Sequence, residues 1–390
     1  MGVTWNQQLV KKENKTLVLK LIKNHSPISR ADTAQKLGLN KGTVSSLVAE
    51  LLDEQLITES GPGESSGGRR PVMLLFNQNA GYTIGVDLGV NYILAVLTDL
   101  QGNIICQKNE KNESHSFEDT FKLLKTIISS LIKKAPTSPY GVVGIGIGAP
   151  GIINMNGDVV LAPNLQWRNL SLKQKLEDCF NIPVIVENEA NAGAYGENKF
   201  GIGQNLVNLI YVSSGIGIGA GIILNGDLYK GINGYSGEFG HMTIDFNGIE
   251  CSCGNKGCWE LYASEQSLLN LAQKLDLGDK GNLTLDDLIT LAEEGNTSVI
   301  ELFNIIGHNL GVGIINIIHA FNPQKIIVGN RLVHARQWME DSILKVIKQH
   351  TLTFHQSDVE ISFSDLSIPV TALGVAAFSI ENFIDAKLQE

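Results

Sequence analysis

Two features that carry a chain into or across a membrane are missing from this sequence. No apolar stretch approaches the roughly 20 uncharged residues that a membrane-spanning helix requires, and the N-terminus has no basic-then-apolar run of the kind that opens a secretory signal. The expectation is a cytoplasmic protein with no membrane partner. Cysteine is scarce, five in 390 residues, with Cys251, Cys253 and Cys258 crowded into one segment. An odd number so distributed is no disulfide framework. Cys106 and Cys179 stand alone in apolar surroundings and read as small buried hydrophobes. Basic charge is also short, 30 Lys and Arg against 40 Asp and Glu, which excludes an extended nucleic-acid-coating surface. The deficit is uneven: residues 1 to 76 hold ten basic and seven acidic side chains, the remainder 20 and 33. Contact with nucleic acid therefore belongs to the front of the chain.

What is present is enough for more than one core. At 390 residues the chain exceeds what a single hydrophobic core usually supports, so two or three compact units are expected. A 43% hydrophobic, 18% charged composition is that of a soluble globular protein.

In the front unit, Leu17, Val18, Leu21 and Ile22 recur at helical spacing between Lys12 and Asn24 and give a first helix its apolar face. Pro27 and Ser29 restart the chain; Ser29 stands three residues before Asp32 as a cap, and Gly38 closes a short second helix after Leu37. Asn40 caps a third helix whose buried stripe is Val44, Leu47, Val48, Leu51 and Leu52. Lys41, Thr43, Ser45, Ser46 and Ala49 fall largely outside that stripe, near the helix N-terminus that a recognition helix presents to base edges. An extended run from Leu56 to Glu59, a Gly-rich tip from Gly61 to Gly68, then Arg69, Arg70 and the extended Pro71 to Phe76 make a hairpin wing whose arginines suit phosphate or a minor groove. Three helices and a wing predict a winged helix-turn-helix over residues 1–77, with Asn40, Lys41, Thr43, Ser45, Ser46, Arg69 and Arg70 as its DNA contacts. Such units work in pairs on paired half-sites, so a homodimer on operator DNA is implied. A module serving only dimerisation or packing is the alternative.

After Gly81 the pattern changes. Tyr82 to Gly89 and Ile93 to Asp99 read as a hairpin of buried strands, Phe121 to Lys134 as a helix, and Val142 to Ile147 and Pro183 to Glu187 as further strands. Alternating strands and helices mean an α/β fold. Four ordered motifs then carry a resemblance across nearly the whole chain: SGGRRP at Ser66 to Pro71, VENEANAGAYGE at Val186 to Glu197, SGEFGHMTID at Ser236 to Asp245, and CSCGNKGCWE at Cys251 to Glu260. The sequence resembles the ROK family of repressors, open reading frames and sugar kinases, and within it the xylose-responsive repressors. The resemblance implies an actin-like, ribonuclease H-like, two-lobed domain with a sugar in the cleft. On that resemblance, residues 81–195 with 370–390 are expected to form the first lobe and 196–369 the second. Thr371 to about Lys387 reads as a helix that, by the same resemblance, is expected to pack back on the first lobe.

Cys251, Cys253 and Cys258 give C-x-C-x-x-x-x-C, and His241 lies ten residues upstream, after a glycine, where it can fold back. Three sulfurs and a nitrogen suit a closed tetrahedral zinc site in which the metal is a staple, and the resemblance points to the same four residues. With zinc on one nitrogen of His241, the other is oriented for a sugar hydroxyl. The resemblance further marks Asn164, Asn188, Glu189, Glu238, His241 and Glu260 as sugar contacts.

The sequence departs from the ROK kinases where phosphoryl transfer is done. Their general base is an aspartate at the position of Glu189, and one extra methylene moves a carboxylate by about an ångström, a displacement that can cost about a hundredfold in rate. Their D-x-G-G-T-K loop reads here Asp87-Leu88-Gly89-Val90-Asn91, and their G-T-G-I-G-G-G loop reads Gly215-Ile216-Gly217-Ile218-Gly219-Ala220-Gly221. Hydroxyl and cationic phosphate contacts are lost, so no ATP and no catalytic residue are expected. The expected function is a transcriptional repressor released from its operator by xylose, with glucose able to enter the same cleft. Two alternatives stay open, an active ATP-dependent hexose kinase and a DNA-binding protein with no small ligand.

Overall fold

The structure, a computed structural model, describes residues 7–62, 71–114, 116–277, 283–355, 359–365 and 367–389. Helix α1 (Gln7–His25) buries Val18, Leu19 and Ile22, together with Lys15 at 8% exposure, whose ammonium lies 2.5 Å from Glu54. Leu17 is instead 49% exposed. The expected face is thus rotated toward Lys15 and Leu19, because a lysine stem buries as hydrocarbon once its head finds a carboxylate. After β1 (Ile28–Ser29), the Ser29 hydroxyl accepts from the Asp32 N–H at 3.1 Å and opens α2 (Arg30–Leu37). Gly38 ends α2 at φ 66°, a left-handed cap that glycine adopts without penalty. The Asn40 side chain accepts from the Gly42 N–H at 2.7 Å and opens α3 (Lys41–Asp53), which buries Val44, Leu47, Val48 and Leu51 and half-buries Leu52. Strands β2 (Ile57–Pro62) and β3 (Val72–Phe76) pair antiparallel, Ile57 opposite Phe76, with β1 on the other side of β3. The wing therefore has its two strands; its tip, with Arg69 and Arg70, lies outside the described residues.

The first lobe opens with an antiparallel meander, β4 (Tyr82–Leu88), β5 (Tyr92–Asp99) and β6 (Ile104–Lys111). Helix α4 (Phe117–Lys134) leads to β7 (Val142–Ala149), which runs parallel to β4. A small sheet of β8 (Ile152–Ile153), β9 (Val159–Ala162) and β10 (Trp167–Leu170) precedes α5 (Leu172–Phe180), and β11 (Val184–Asn188) adds parallel to β7. The sheet order is β11-β7-β4-β5-β6. Strand β6 escapes the sequence pattern because an edge strand carries polar residues along much of its length, here Lys108 to Lys111. Neither isolated cysteine is buried as expected: Cys106 on β6 is half-buried and Cys179 on α5 is exposed.

Helix α6 (Glu189–Lys199) follows and leads to the second sheet, to which β12 (Leu209–Ser214), β13 (Ile218–Leu224) and β14 (Asp227–Leu228) contribute first. Helices α7 (Glu260–Ala263), α8 (Glu265–Ala272), α9 (Leu285–Glu293) and α10 (Thr297–Phe321) come next, then β15 (Lys325–Gly329), α11 (Arg336–His350) and β16 (Glu360–Phe363). The order is β14-β13-β12-β15-β16. Helix α10 corrects the reading of apolar runs: its 25 residues are long and apolar enough to cross a membrane. Its Leu302, Phe303, Ile306, Leu310, Ile314 and Ile318 are instead buried in the second-lobe core against Trp259 and β12. Last, α12 (Val370–Gln389) returns to lie on β4, β7 and α6.

Candidate functional site

A cavity of 130 Å³ lies between the lobes, and Asn164, Asn188, Glu189, Glu238, His241 and Glu260 all line it. They arrive from separate elements. Asn164 sits on the turn after β9, Asn188 ends β11, Glu189 begins α6, Glu238 and His241 frame one helical turn, and Glu260 begins α7. Asn188 is largely consumed by the protein: its Oδ1 accepts from the Ala190 and Asn191 N–H groups at 2.8 and 3.2 Å, and its amide donates to the Gly151 carbonyl at 2.8 Å. It positions the α6 start and the Gly151 loop more than it offers groups to a ligand.

Glu189 is the opposite case. Its carboxyl has no hydrogen-bond partner among the described residues, and its residual exposure is to the cavity. Desolvation, then the nearby charge of Asp87, pushes its pKa up to about 8. Asp87 on β4 is itself raised to about 7 by desolvation, although the Tyr92 hydroxyl donates to it at 2.9 Å and works the other way. No ammonium or guanidinium is within ion-pair distance of either carboxyl among the described residues. A carboxyl kept neutral near pH 7 both donates and accepts a hydrogen bond, which suits a polyhydroxylated ligand.

Sequence reasoning missed Tyr92 and Ser252. Tyr92 packs its ring where a side chain at Gly89 would go, at 2.2 Å from an ideal Cβ, and so fills the turn of the first phosphate-type loop. Its signal was available, an aromatic where the kinase loop carries lysine. Ser252 lines the cavity because it sits between Cys251 and Cys253. Just after β15, Asn330 holds φ 69° with its amide donating to Ser213 at 2.9 Å, and Arg331 pairs with the buried Glu265 at 2.9 Å.

The Cys and His residues converge beside the same cavity. The ligand atoms of His241, Cys251, Cys253 and Cys258 lie within 4.8 Å of one another, with Cys253 and Cys258 sulfurs 3.6 Å apart and His241 Nδ1 3.8 Å from the Cys251 sulfur. A tetrahedral ion with metal–sulfur bonds of about 2.3 Å sets its ligands about 3.8 Å apart, so the donor set and spacing fit a metal. Burial, then hydrogen bonds with its neighbours, pushes the Cys258 thiol up to about 12, and an ion that replaces the thiol protons removes that conflict. Glu260 approaches the cluster from the cavity, 3.3 Å from His241 Nδ1.

On the front unit, Lys41, Thr43, Ser45 and Ser46 are exposed along one face of α3 and their side chains make no hydrogen bond to described residues, while the Asn40 side chain is spent as the cap. Arg30 ties α2 to β2 through Glu59 at 2.6 Å. The face is rigidly backed and chemically free.

Comparison with known proteins accords with both halves. The profile of the ROK family matches residues 83–381, and that of a winged helix-turn-helix DNA-binding domain matches residues 12–58. A xylose repressor of Bacillus spizizenii is 47% identical over 380 residues, covering 97% of this chain and 98% of the relative. The crystal structure of a ROK family transcriptional regulator, a homologue of the Escherichia coli MLC protein, superposes with a TM-score of 0.82 at 28% identity, covering 97% of this chain and 98% of that one. A ROK family glucokinase from Streptomyces griseus, solved with glucose and AMPPNP, gives 0.69 at 28% identity over 76% of this chain and 99% of the kinase. With the whole two-lobed domain and the front unit both matched, the chain belongs to the ROK family, in its DNA-binding, regulatory form.

Proposed function

We propose that this protein is a xylose-responsive transcriptional repressor, dimeric and cytoplasmic, that leaves its operator when sugar occupies the cleft. Its parts are a DNA-binding domain of residues 1–77, a first lobe of 81–195 with 370–390, and a second lobe of 196–369. The observation that carries the reading is one chain holding both a free recognition face on α3 and a cavity lined by three carboxylates, two amides and an imidazole. Glu189, Glu238, Glu260 and Asn164 bond the sugar hydroxyls, and Asn188 holds the α6 start in place. Zinc on His241, Cys251, Cys253 and Cys258 supplies a fixed crosslink; with Nδ1 turned to the metal, the other ring nitrogen of His241 faces the hydroxyls. Arg69 and Arg70 join Lys41, Thr43, Ser45 and Ser46 on DNA. A hundredfold loss of operator affinity needs only about 2.8 kcal/mol of coupling, within reach of an ordinary set of sugar hydrogen bonds.

The likeness to the glucokinase favours a second reading, a hexose kinase using ATP. Glu189 in place of aspartate and Tyr92 packed over Gly89 weigh against it. Fluorescence anisotropy of the full chain on DNA from upstream of xylose-utilisation genes, with xylose, glucose or arabinose, separates these readings. Binding weakened by xylose supports the proposal. Specific binding indifferent to every sugar leaves a DNA-binding protein without a ligand, and ATP-dependent phosphorylation lost in Glu189→Gln establishes the kinase. For the metal, one zinc per chain by elemental analysis is expected, and Cys253→Ser should lower zinc affinity by about 10- to 100-fold or more; a chain purified without zinc that binds xylose at full affinity refutes the staple.

A further inference from the structure

Helix α12 belongs to two bodies at once. Over its first half it is seated at four points with backbone directly against backbone. A Cβ at Gly374 would lie 1.9 Å from the Ala192 carbonyl oxygen of α6, and one at Gly196 of α6 would lie 1.8 Å from the Val370 carbonyl oxygen. Cβ atoms at Gly85 on β4 and Gly146 on β7 would come within 1.9 and 2.2 Å of the Ala372 and Val375 carbonyls. Backbone against backbone at four points leaves no slack, and contacts this dense transmit displacement. The partner helix α6 is the one that begins with Glu189 and is capped by Asn188, so a shift of that cleft wall is passed to α12. The Tyr195 hydroxyl adds a 2.6 Å hydrogen bond to Glu381 between the same two helices.

Over its second half α12 completes the DNA-binding domain. Ile380, Phe383, Ile384 and Leu388 share one buried core with Val18, Leu19 and Ile22 of α1 and with Phe76 of β3. The Tyr140 ring, on the loop before β7, meets Phe383 edge-on at 5.1 Å, and its hydroxyl donates to the Glu54 carbonyl just past α3 at 2.7 Å. Separate domains on a chain move independently unless a large apolar contact joins them, and here the core is common. The second lobe meets this junction differently. A cavity of 510 Å³ opens between α1, the end of α6, the β13–β14 turn at Gly226 and Asp227, and α12. The space leaves the first lobe, with α1 and α12 fixed to it, room to shift against the second lobe.

We propose that α12 is the lever by which the state of the cleft reaches the recognition helix: movement of the cleft wall is carried by α6 and α12 together to α1, and through the shared core to α3. The inference rests on the repressor reading and names its internal route. Its test uses the full chain and two mild variants, Tyr140→Phe, which deletes one hydroxyl, and Phe383→Leu. DNA from upstream of xylose-utilisation genes is titrated with and without xylose, and xylose binding is measured by calorimetry. Xylose affinity should stay within about twofold and DNA affinity without sugar within about threefold, while the ratio of DNA Kd with and without xylose falls by about fivefold or more. Hydrogen exchange supplies a readout that a purely structural role would not move: xylose should alter exchange of the Val18 to Asn24 amides in the wild type and do so less in Tyr140→Phe. A ratio unchanged in both folded variants overturns the lever. A wild type whose DNA binding ignores xylose overturns the repressor reading and the lever with it, an outcome recognisable before any variant is made.

Discussion

Glycines at the seat of α12 and two of those lining the cleft, Gly217 and Gly219, meet different neighbours. At the seat, a methyl on Gly374 or Gly196 would run into the carbonyl oxygen of another helix at 1.9 or 1.8 Å. In the cleft, a methyl on Gly217 would meet the Glu260 carboxylate at 3.1 Å, and one on Gly219 would meet the Ala190 Cβ at 3.1 Å. Carbonyls in a packed helix cannot retreat, whereas the end of a glutamate side chain can. The seat glycines therefore hold the fold, as do Gly151 and Gly237 at the cleft, where a methyl would face the Leu161 and Ala220 carbonyls at 2.2 and 1.9 Å, whereas Gly217 and Gly219 shape a space kept for something else. The polar groups differ in the same sense: in the cleft the Glu189 carboxyl has no hydrogen-bond partner among the described residues, while at the junction the Tyr140 and Tyr195 hydroxyls are both engaged.

The largest expected effect breaks or keeps that comparison directly. Gly374→Ala should destabilise the chain by about 3 kcal/mol or more, the upper range for overpacking a core, read as a lowered denaturant midpoint. Gly217→Ala should cost less than about 1 kcal/mol, since a flexible carboxylate gives way, yet weaken xylose binding because its methyl enters the cavity. Equal losses of stability in the two variants would abolish the distinction.

A smaller effect lies within the cleft. Glu189 and Asp87 have folded pKa values of about 8 and 7, against ordinary values of 4.5 and 3.8. The folded chain therefore binds more protons than the unfolded chain between roughly pH 4 and 8, and stability falls as pH rises through that window. Glu189→Gln cannot ionise, so it should match the wild type near pH 5 and become relatively more stable by pH 8.5. Thermal unfolding at the two pH values measures this, and wild-type and variant curves that decline in parallel would show the carboxyl to be solvated.

Legibility in the sequence followed the kind of force at work. Caps at Ser29, Gly38 and Asn40 are local hydrogen-bonding devices and stand in the structure where the residues put them. The α1 face was misread by part of a turn because Lys15 buries its stem, and β6 was invisible because its outer half is polar. The junction was legible only as far as the return of the last helix to the first lobe. That Phe383 and Ile384 would close the core of the front unit, more than 300 residues away in the chain, has no local signature. In the cleft, Asn164 and Glu260 lie too far apart for any spacing argument, and only the family resemblance linked them, Asn164 lying outside the four motifs; the commitment of the Asn188 amide to Gly151 and the seat of Tyr92 over Gly89 depend on three-dimensional packing.

The smallest effect sharpens the comparison by adding a surface that neither the cleft nor the junction touches. Lys41 opens α3, exposed and unpaired among the described residues, beside backbone N–H groups that already favour an anion. As a phosphate contact it would raise affinity for any sequence by releasing a counterion. Lys41→Ala should then weaken DNA binding evenly across sequences and reduce the slope of log K against log salt by about 0.9. The xylose response should not change, because neither the cleft wall nor the α12 seat is altered, whereas Ser46→Ala should relax discrimination at one base pair. A Lys41→Ala protein whose salt slope is unchanged would move the phosphate contact elsewhere on the domain. One whose xylose ratio collapses would show that reading DNA and sensing sugar are not carried by separable surfaces.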